Sequence, residues 1–186
     1  MQQPSHDENS RLQWFAMRDL TRSNAKDPAY KFLAQLQFEV FTPMQRKLVV
    51  RNGKRISLEV PVMHDLLFVH ASQSDLEPVV RRRPTLQFRY VRGGFCKPMT
   101  IPDEEMERFI LAVRSSKTTR YFRPEELTAA MLGARVRLVG GHLDGREGYL
   151  LKVRGSKTRR LLVELPNFLT AAVEVQPDLI ELIEEA

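Results

Sequence analysis

Val136-Arg-Leu-Val-Gly-Gly-His-Leu-Asp-Gly-Arg-Glu-Gly-Tyr-Leu-Leu-Lys-Val153 is the stretch that decides how the back half of this chain folds. Apolar side chains at Val136, Leu138 and Val139, then at Leu150, Leu151 and Val153, predict two strands flanking a glycine-rich turn. Gly141, Gly145 and Gly148 punctuate that turn. Glycine reaches positive φ without steric cost, so the spacing suits a tight, bulged connection rather than a flexible linker. Further strands are expected over 160–165, 171–175 and 179–183. Short, evenly spaced strands with turn signals between them read as a small closed barrel. Val163, Val173 and Val175 favour strand, and Pro166 and Pro177 would interrupt a long helix.

Working back toward the N-terminus, Ser115–Arg123 is polar, basic and without periodicity, so a linker is expected over 115–127. In front of it the pattern alternates between helix and strand. Trp14-Phe15-Ala16-Met17 reads as a short buried strand. Asp27-Pro28 reads as an N-cap and first-turn proline, followed by helical 3–4 spacing at Tyr30, Leu33, Ala34 and Gln37, with Phe32 and Leu36 widening the apolar stripe. Val40-Phe41 begins a strand, and Asn52-Gly53 between 47–51 and 55–60 is a two-residue hairpin signal. Leu66-Leu67-Phe68-Val69 predicts a central strand. Ser74-Asp75-Leu76-Glu77 predicts a capping box opening a helix that stops before Pro84. Leu86–Val91 predicts a strand, and Met106, Phe109, Ile110 and Val113 a helix opened by Pro102-Asp103-Glu104-Glu105. The expected organisation is a tail over 1–11, an α+β domain of antiparallel sheet with helices over 12–114, and an all-β domain over 128–186.

Composition narrows the class. Of the 186 residues 42% are hydrophobic, enough for real cores, and no apolar run reaches the ~18 residues of a membrane helix. The first residues are polar and lack the apolar core of a signal peptide. Cys96 is the sole cysteine, so no intramolecular disulfide can form and a reducing cytoplasm is the expected home. The net charge of +6 is unevenly spread: residues 116–160 carry eleven Lys or Arg against four Asp or Glu, while 161–186 carry six acids and no base. Such asymmetry suits work beside a polyanion.

The glycine-rich hairpin resembles a KOW motif, which opens the small SH3-like barrel of NusG-type transcription factors and several ribosomal proteins. The front half is similar to the N-terminal domain of the NusG family. Trp14-Phe15 matches the Trp-Tyr that begins it, Phe41-Thr42-Pro43 its strand ending in proline, and the basic hairpin follows in order. Where many members read Phe-Pro-Gly-Tyr, this chain has Met63-His64-Asp65-Leu66. That departure, with Leu86–Gly94, looks like the UpxY-type antiterminators of Bacteroides-like bacteria, whose genes head capsular polysaccharide operons. The resemblance implies a monomeric regulator that docks on the clamp region of RNA polymerase, with DNA or nascent RNA as further contact and a separate partner for the barrel. It implies no catalysis and no cofactor. A ribosome- or RNA-binding KOW protein is the competing reading, and it would lack the module from Trp14 to Val113.

The resemblance places polymerase docking at Met63, His64, Leu66 and Phe68. Strand alternation puts Leu66 and Phe68 on one face and Leu67 and Val69 on the other. The latter pair is expected in the core and the former on the docking face the resemblance implies, the alternative being that all four are core. Lys47, Arg51, Lys54 and Arg55 crowd one hairpin and are expected to contact nucleic acid. Arg81, Arg82 and Arg83 either contact phosphate or complement a helix dipole. No aromatic stacking platform is expected, because Phe88 and Tyr90 alternate with Gln87 and Arg89 and read as facing one core. Gly155-Ser156-Lys157-Thr158 lacks the glycine spacing and following helix of a phosphate-binding loop. His6, His64, His70 and His142 lie at no metal-ligand spacing, and Cys96 has no neighbouring thiol or imidazole.

Overall fold

Strand β1 (Gln13–Asp19) organises the front of the protein, in a computed structural model that describes residues 10–23 and 25–183. The tail expected over 1–11 therefore lies outside the described residues, apart from 10 and 11. The chain forms two compact units, 1–103 and 104–186. In the first, β1 is followed by α1 (Ala29–Gln35), β2 (Glu39–Phe41), β3 (Met44–Arg51), β4 (Lys54–Pro61), β5 (Leu67–Ala71), α2 (Gln73–Arg82), β6 (Leu86–Phe88) and β7 (Thr100–Ile101). A five-stranded antiparallel sheet runs β2-β5-β1-β6, with β7 also paired to β1, and β3 and β4 form a separate two-stranded ribbon.

One face of the sheet carries Phe15 and Met17 from β1, Leu67, Val69 and Ala71 from β5, and Leu86 and Phe88 from β6. These pack in one cluster with Ala29 and Leu33 of α1 and Leu76 of α2. The opposite face is buried too. Trp14, Ala16, Leu66 and Phe68 are all at most 3% exposed. Phe68 pairs with Ala16 across the strands and lies 6.4 Å from the Phe41 ring, centroid to centroid. The expected docking role of Leu66 and Phe68 is thereby corrected: both are core. An apolar run without alternation marks a strand buried on both faces, and Leu66-Leu67-Phe68-Val69 is such a run.

Two expected caps are also corrected. The residue before α1 is Pro28, with no side-chain cap, and the first helical N–H, from Ala29, donates to the buried carboxylate of Asp19 at 2.7 Å. The Thr21 N–H donates to the other Asp19 oxygen at 2.9 Å. Asp27 instead pairs with Arg83. At α2 the N-cap is Ser72 rather than Ser74, its hydroxyl accepting from the Asp75 N–H at 3.2 Å.

The second unit begins within α3 (Asp103–Ser115), whose Met106, Phe109, Ile110 and Ala112 are buried. It continues through β8 (Thr119–Phe122), β9 (Leu132–Leu138), β10 (Glu147–Leu151), β11 (Arg159–Leu165), β12 (Leu169–Val175) and β13 (Ile180–Leu182). The stretch 115–127, expected as linker, thus holds a strand: β8 pairs antiparallel with β12, matching Ala171 to Tyr121. Its polar, basic setting hid this, although Thr119, Tyr121 and Phe122 carry strand propensity. The six strands run β13-β9-β10-β11-β12-β8, an all-antiparallel path whose ends are not joined among the described residues, so the sheet is open where a closed barrel was expected. Val136, Leu161, Leu165, Leu169 and Val173 form its interior.

Candidate functional site

The ribbon of β3 and β4 turns at Asn52 (φ 51°) and Gly53 (φ 72°), two left-handed residues in succession, which is the geometry of a type I′ turn. Cross-strand partners share a face, so Lys47, Arg51 and Lys54 project from one side with Val49, Ile56 and Leu58, while Arg55 projects from the other beside Val50. All four basic residues are exposed; Arg51, Lys54 and Arg55 stand next to the turn, whereas Lys47, opposite Leu58, lies midway along the ribbon. Arg51 and Lys54 stand directly opposite each other. Like charges in that register destabilise a ribbon. The ion pair within the ribbon, among the described residues, is Arg46 with Glu59 at 3.9 Å, away from the tip. Leu48 and Val50 are more than 70% exposed on the face that carries Arg55.

Met63–Leu66 forms a turn, the Leu66 N–H donating to the Met63 carbonyl at 3.3 Å. None of its residues has a left-handed backbone, so aspartate can stand where the resembled sequence has glycine. Asp65 fastens the turn to the sheet. Its carboxylate accepts from the Arg89 guanidinium at 3.1 Å, and its carbonyl accepts from the same guanidinium at 3.3 Å and from the Asp19 N–H at 3.4 Å. Burial pushes the Arg89 guanidinium below its ordinary pKa, Asp65 opposes that shift, and the nearby charge of Arg18 adds to it. Met63 is half-buried and His64 exposed, so of the four expected docking residues these two remain accessible.

The three arginines at the end of α2 part company. Arg81 is exposed and pairs with Glu77 at 3.6 Å. Arg82 is exposed. Arg83 has only 16% of its side chain exposed, donates to the Asp27 carboxylate at 3.0 Å and stacks over the Phe32 ring at 4.4 Å. That pairing ties the end of α2 to the start of α1. Arg83 is therefore structural, and the expected nucleic-acid role is corrected for it.

In the second unit Gly141 and Gly145 take φ of 73° and 72° around the buried Leu143. Gly148 serves differently: a Cβ there would meet the Leu162 carbonyl oxygen at 3.0 Å, so its hydrogen lets β10 approach β11. The three glycines of the motif thus meet two separate demands, turning and close approach.

The front of the chain, with its tip-charged ribbon and two-faced sheet, can now be set against known families. Residues 12–110 match the family described as transcription termination factor NusG. The chain belongs to the NusG family. Factors of this family act in transcription elongation and termination, generally bind RNA polymerase, and are cytoplasmic. Comparison with curated proteins finds no match. Among the described residues no helix is long and apolar enough to cross a membrane. No cluster of three or more His, Cys, Asp or Glu that could hold a metal is found among them.

Sequence reasoning missed one feature of this NusG-family chain. Phe88 is buried as expected, but Tyr90 is half exposed and Phe95 is 97% exposed. The signal that could have found them is charge: residues 78–102 hold six Lys or Arg and no acid.

Proposed function

We propose that this chain is a specialised, UpxY-type member of the NusG family that binds RNA polymerase in the cytoplasm and promotes read-through of a long operon, one for capsular polysaccharide. The match over 12–110 supports the NusG-family part of this reading, and His64-Asp65 in place of Pro-Gly supports specialisation. The chain acts without chemistry of its own. A binding partner shifts the balance between pausing and elongation by its differential affinity for the two states, and ~1–3 kcal/mol is a typical coupling. Met63 and His64 form the accessible part of the docking surface on the clamp region. Methionine, unbranched and adaptable, suits an irregular groove between helices. The basic ribbon tip reaches toward nucleic acid held by the enzyme, and the glycine-rich sheet of the second unit, KOW-like in its turn, engages a further factor.

The experiment is a pull-down of RNA polymerase by the full chain and by Met63→Asp. Met63 lies on a half-buried turn, so the variant should fold like the parent and lose most polymerase binding. A parent that fails to retain polymerase would overturn the proposed function, and a variant that binds like the parent would remove Met63 from the docking surface.

A further inference from the structure

Between β6 and β7 the chain makes a closed loop with an aromatic tip. Tyr90 and Pro98 form an antiparallel bridge. The Met99 N–H donates to the Arg89 carbonyl at 2.7 Å and the Val91 N–H to the Lys97 carbonyl at 2.9 Å. The Gly94 N–H turns back to the Val91 carbonyl at 3.0 Å. Gly93 (φ 79°) and Cys96 (φ 50°) take left-handed backbone, which tightens the loop on either side of Phe95. Phe95 is thereby held at the tip almost wholly in water, where its ring contributes nothing to the core. Arg92 and Lys97 flank it and are exposed, and neither forms an ion pair among the described residues.

We propose that the Tyr90–Pro98 loop binds single-stranded nucleic acid, with Phe95 stacking on an unpaired base and Arg92 and Lys97 holding the adjacent phosphates. An aromatic face in a cationic setting is the combination by which proteins grip single strands without reading sequence. Charge and the surroundings of the ring favour that occupant over a protein. The loop lies in a stretch of 25 residues, 78–102, without an acid. Phe95 is bordered in the chain by Gly94 and Cys96 with the two cations beyond them, and the loop's other exposed hydrophobic side chains, Tyr90 and Val91, lie at its base. Paired bases are already stacked, so a projecting ring finds a free face on a single strand and not on a duplex. The inference does not depend on polymerase binding, because it rests on the loop alone.

The test uses the full chain and a short fluorescein-labelled single-stranded oligonucleotide, followed by anisotropy across a salt series without polymerase. Phe95→Ala should weaken binding by about 5- to 150-fold, the range for loss of one base–aromatic stack. Phe95→Tyr should restore parental affinity, whereas Phe95→Leu should not. The Arg92→Ala, Lys97→Ala double variant should lower the salt slope by about 1.4, at ~0.7 per phosphate engaged on a single strand. All these changes are at an exposed tip, and the melting temperature should stay at the parental value. The Phe95→Ala loss should vanish on a duplex of the same sequence. Failure of the parent to bind the single strand overturns the proposal, as does Phe95→Ala binding like the parent. Full rescue by Phe95→Leu also overturns it, and would mark the tip as an apolar anchor for a protein.

Discussion

Phe68→Ala is expected to cost the first unit about 3–5 kcal/mol, the range for emptying a fully buried aromatic site. Phe68 is 0% exposed, lies on a strand flanked by β1 and β2, and packs near Phe41 of β2. A small domain holds only about 5–15 kcal/mol in total, so the loss should move the midpoint of chemical unfolding far toward water. The chain supplies its own probe. Trp14 is its sole tryptophan, is 3% exposed and stacks on His70 at 5.1 Å, so its fluorescence reports on the first unit by itself. The companion variant, Met63→Asp, should leave that midpoint where it is. A Phe68→Ala protein with a parental unfolding curve and no affinity for polymerase would return Phe68 to the docking surface.

The second large effect is electrostatic. Replacing Lys47, Arg51, Lys54 and Arg55 together by alanine should lower the salt slope for binding the elongation complex by about 3, at ~0.7–0.9 for each phosphate that a basic side chain no longer neutralises. The Trp14 unfolding midpoint should not fall, because these side chains are exposed and Arg51 faces Lys54, a like charge whose removal relieves the ribbon. An unchanged slope would make the tip a solvated surface. A slope lowered together with a collapsed midpoint would mean that the charges act through the fold. Phe95 lies outside this set, so the ribbon and the loop can be scored separately.

What could be read from the sequence was local, and what escaped was long-range. Asn52-Gly53 announces its hairpin because two left-handed residues in succession need that chemistry, and the turn is where it was expected. The central place of β5 was legible in its apolar run, but the burial of its second face was not, since alternation names two faces without saying whether each is covered. Asp27-Pro28 looks like a cap by every local rule. The helix takes its acceptor from Asp19, ten residues away, because Asp27 is occupied by Arg83, 56 residues away. Arg83 could not be told from Arg81 and Arg82 for the same reason: a partner so distant leaves no local trace. The strand β8 was hidden by its basic neighbours, and Phe95 by the ordinary presumption that phenylalanine points inward.

One measurement tests the central claim most directly: elongation by purified RNA polymerase on a template carrying a strong pause and a terminator, with and without the full chain. Membership in the NusG family together with the proposed read-through role leads to a defined result. The chain should co-migrate with the elongation complex, shorten the pause and raise the fraction of transcripts that pass the terminator, and Met63→Asp should abolish all three. A chain that stays off the complex and leaves pause lifetime and terminator passage at their values without it would contradict the account.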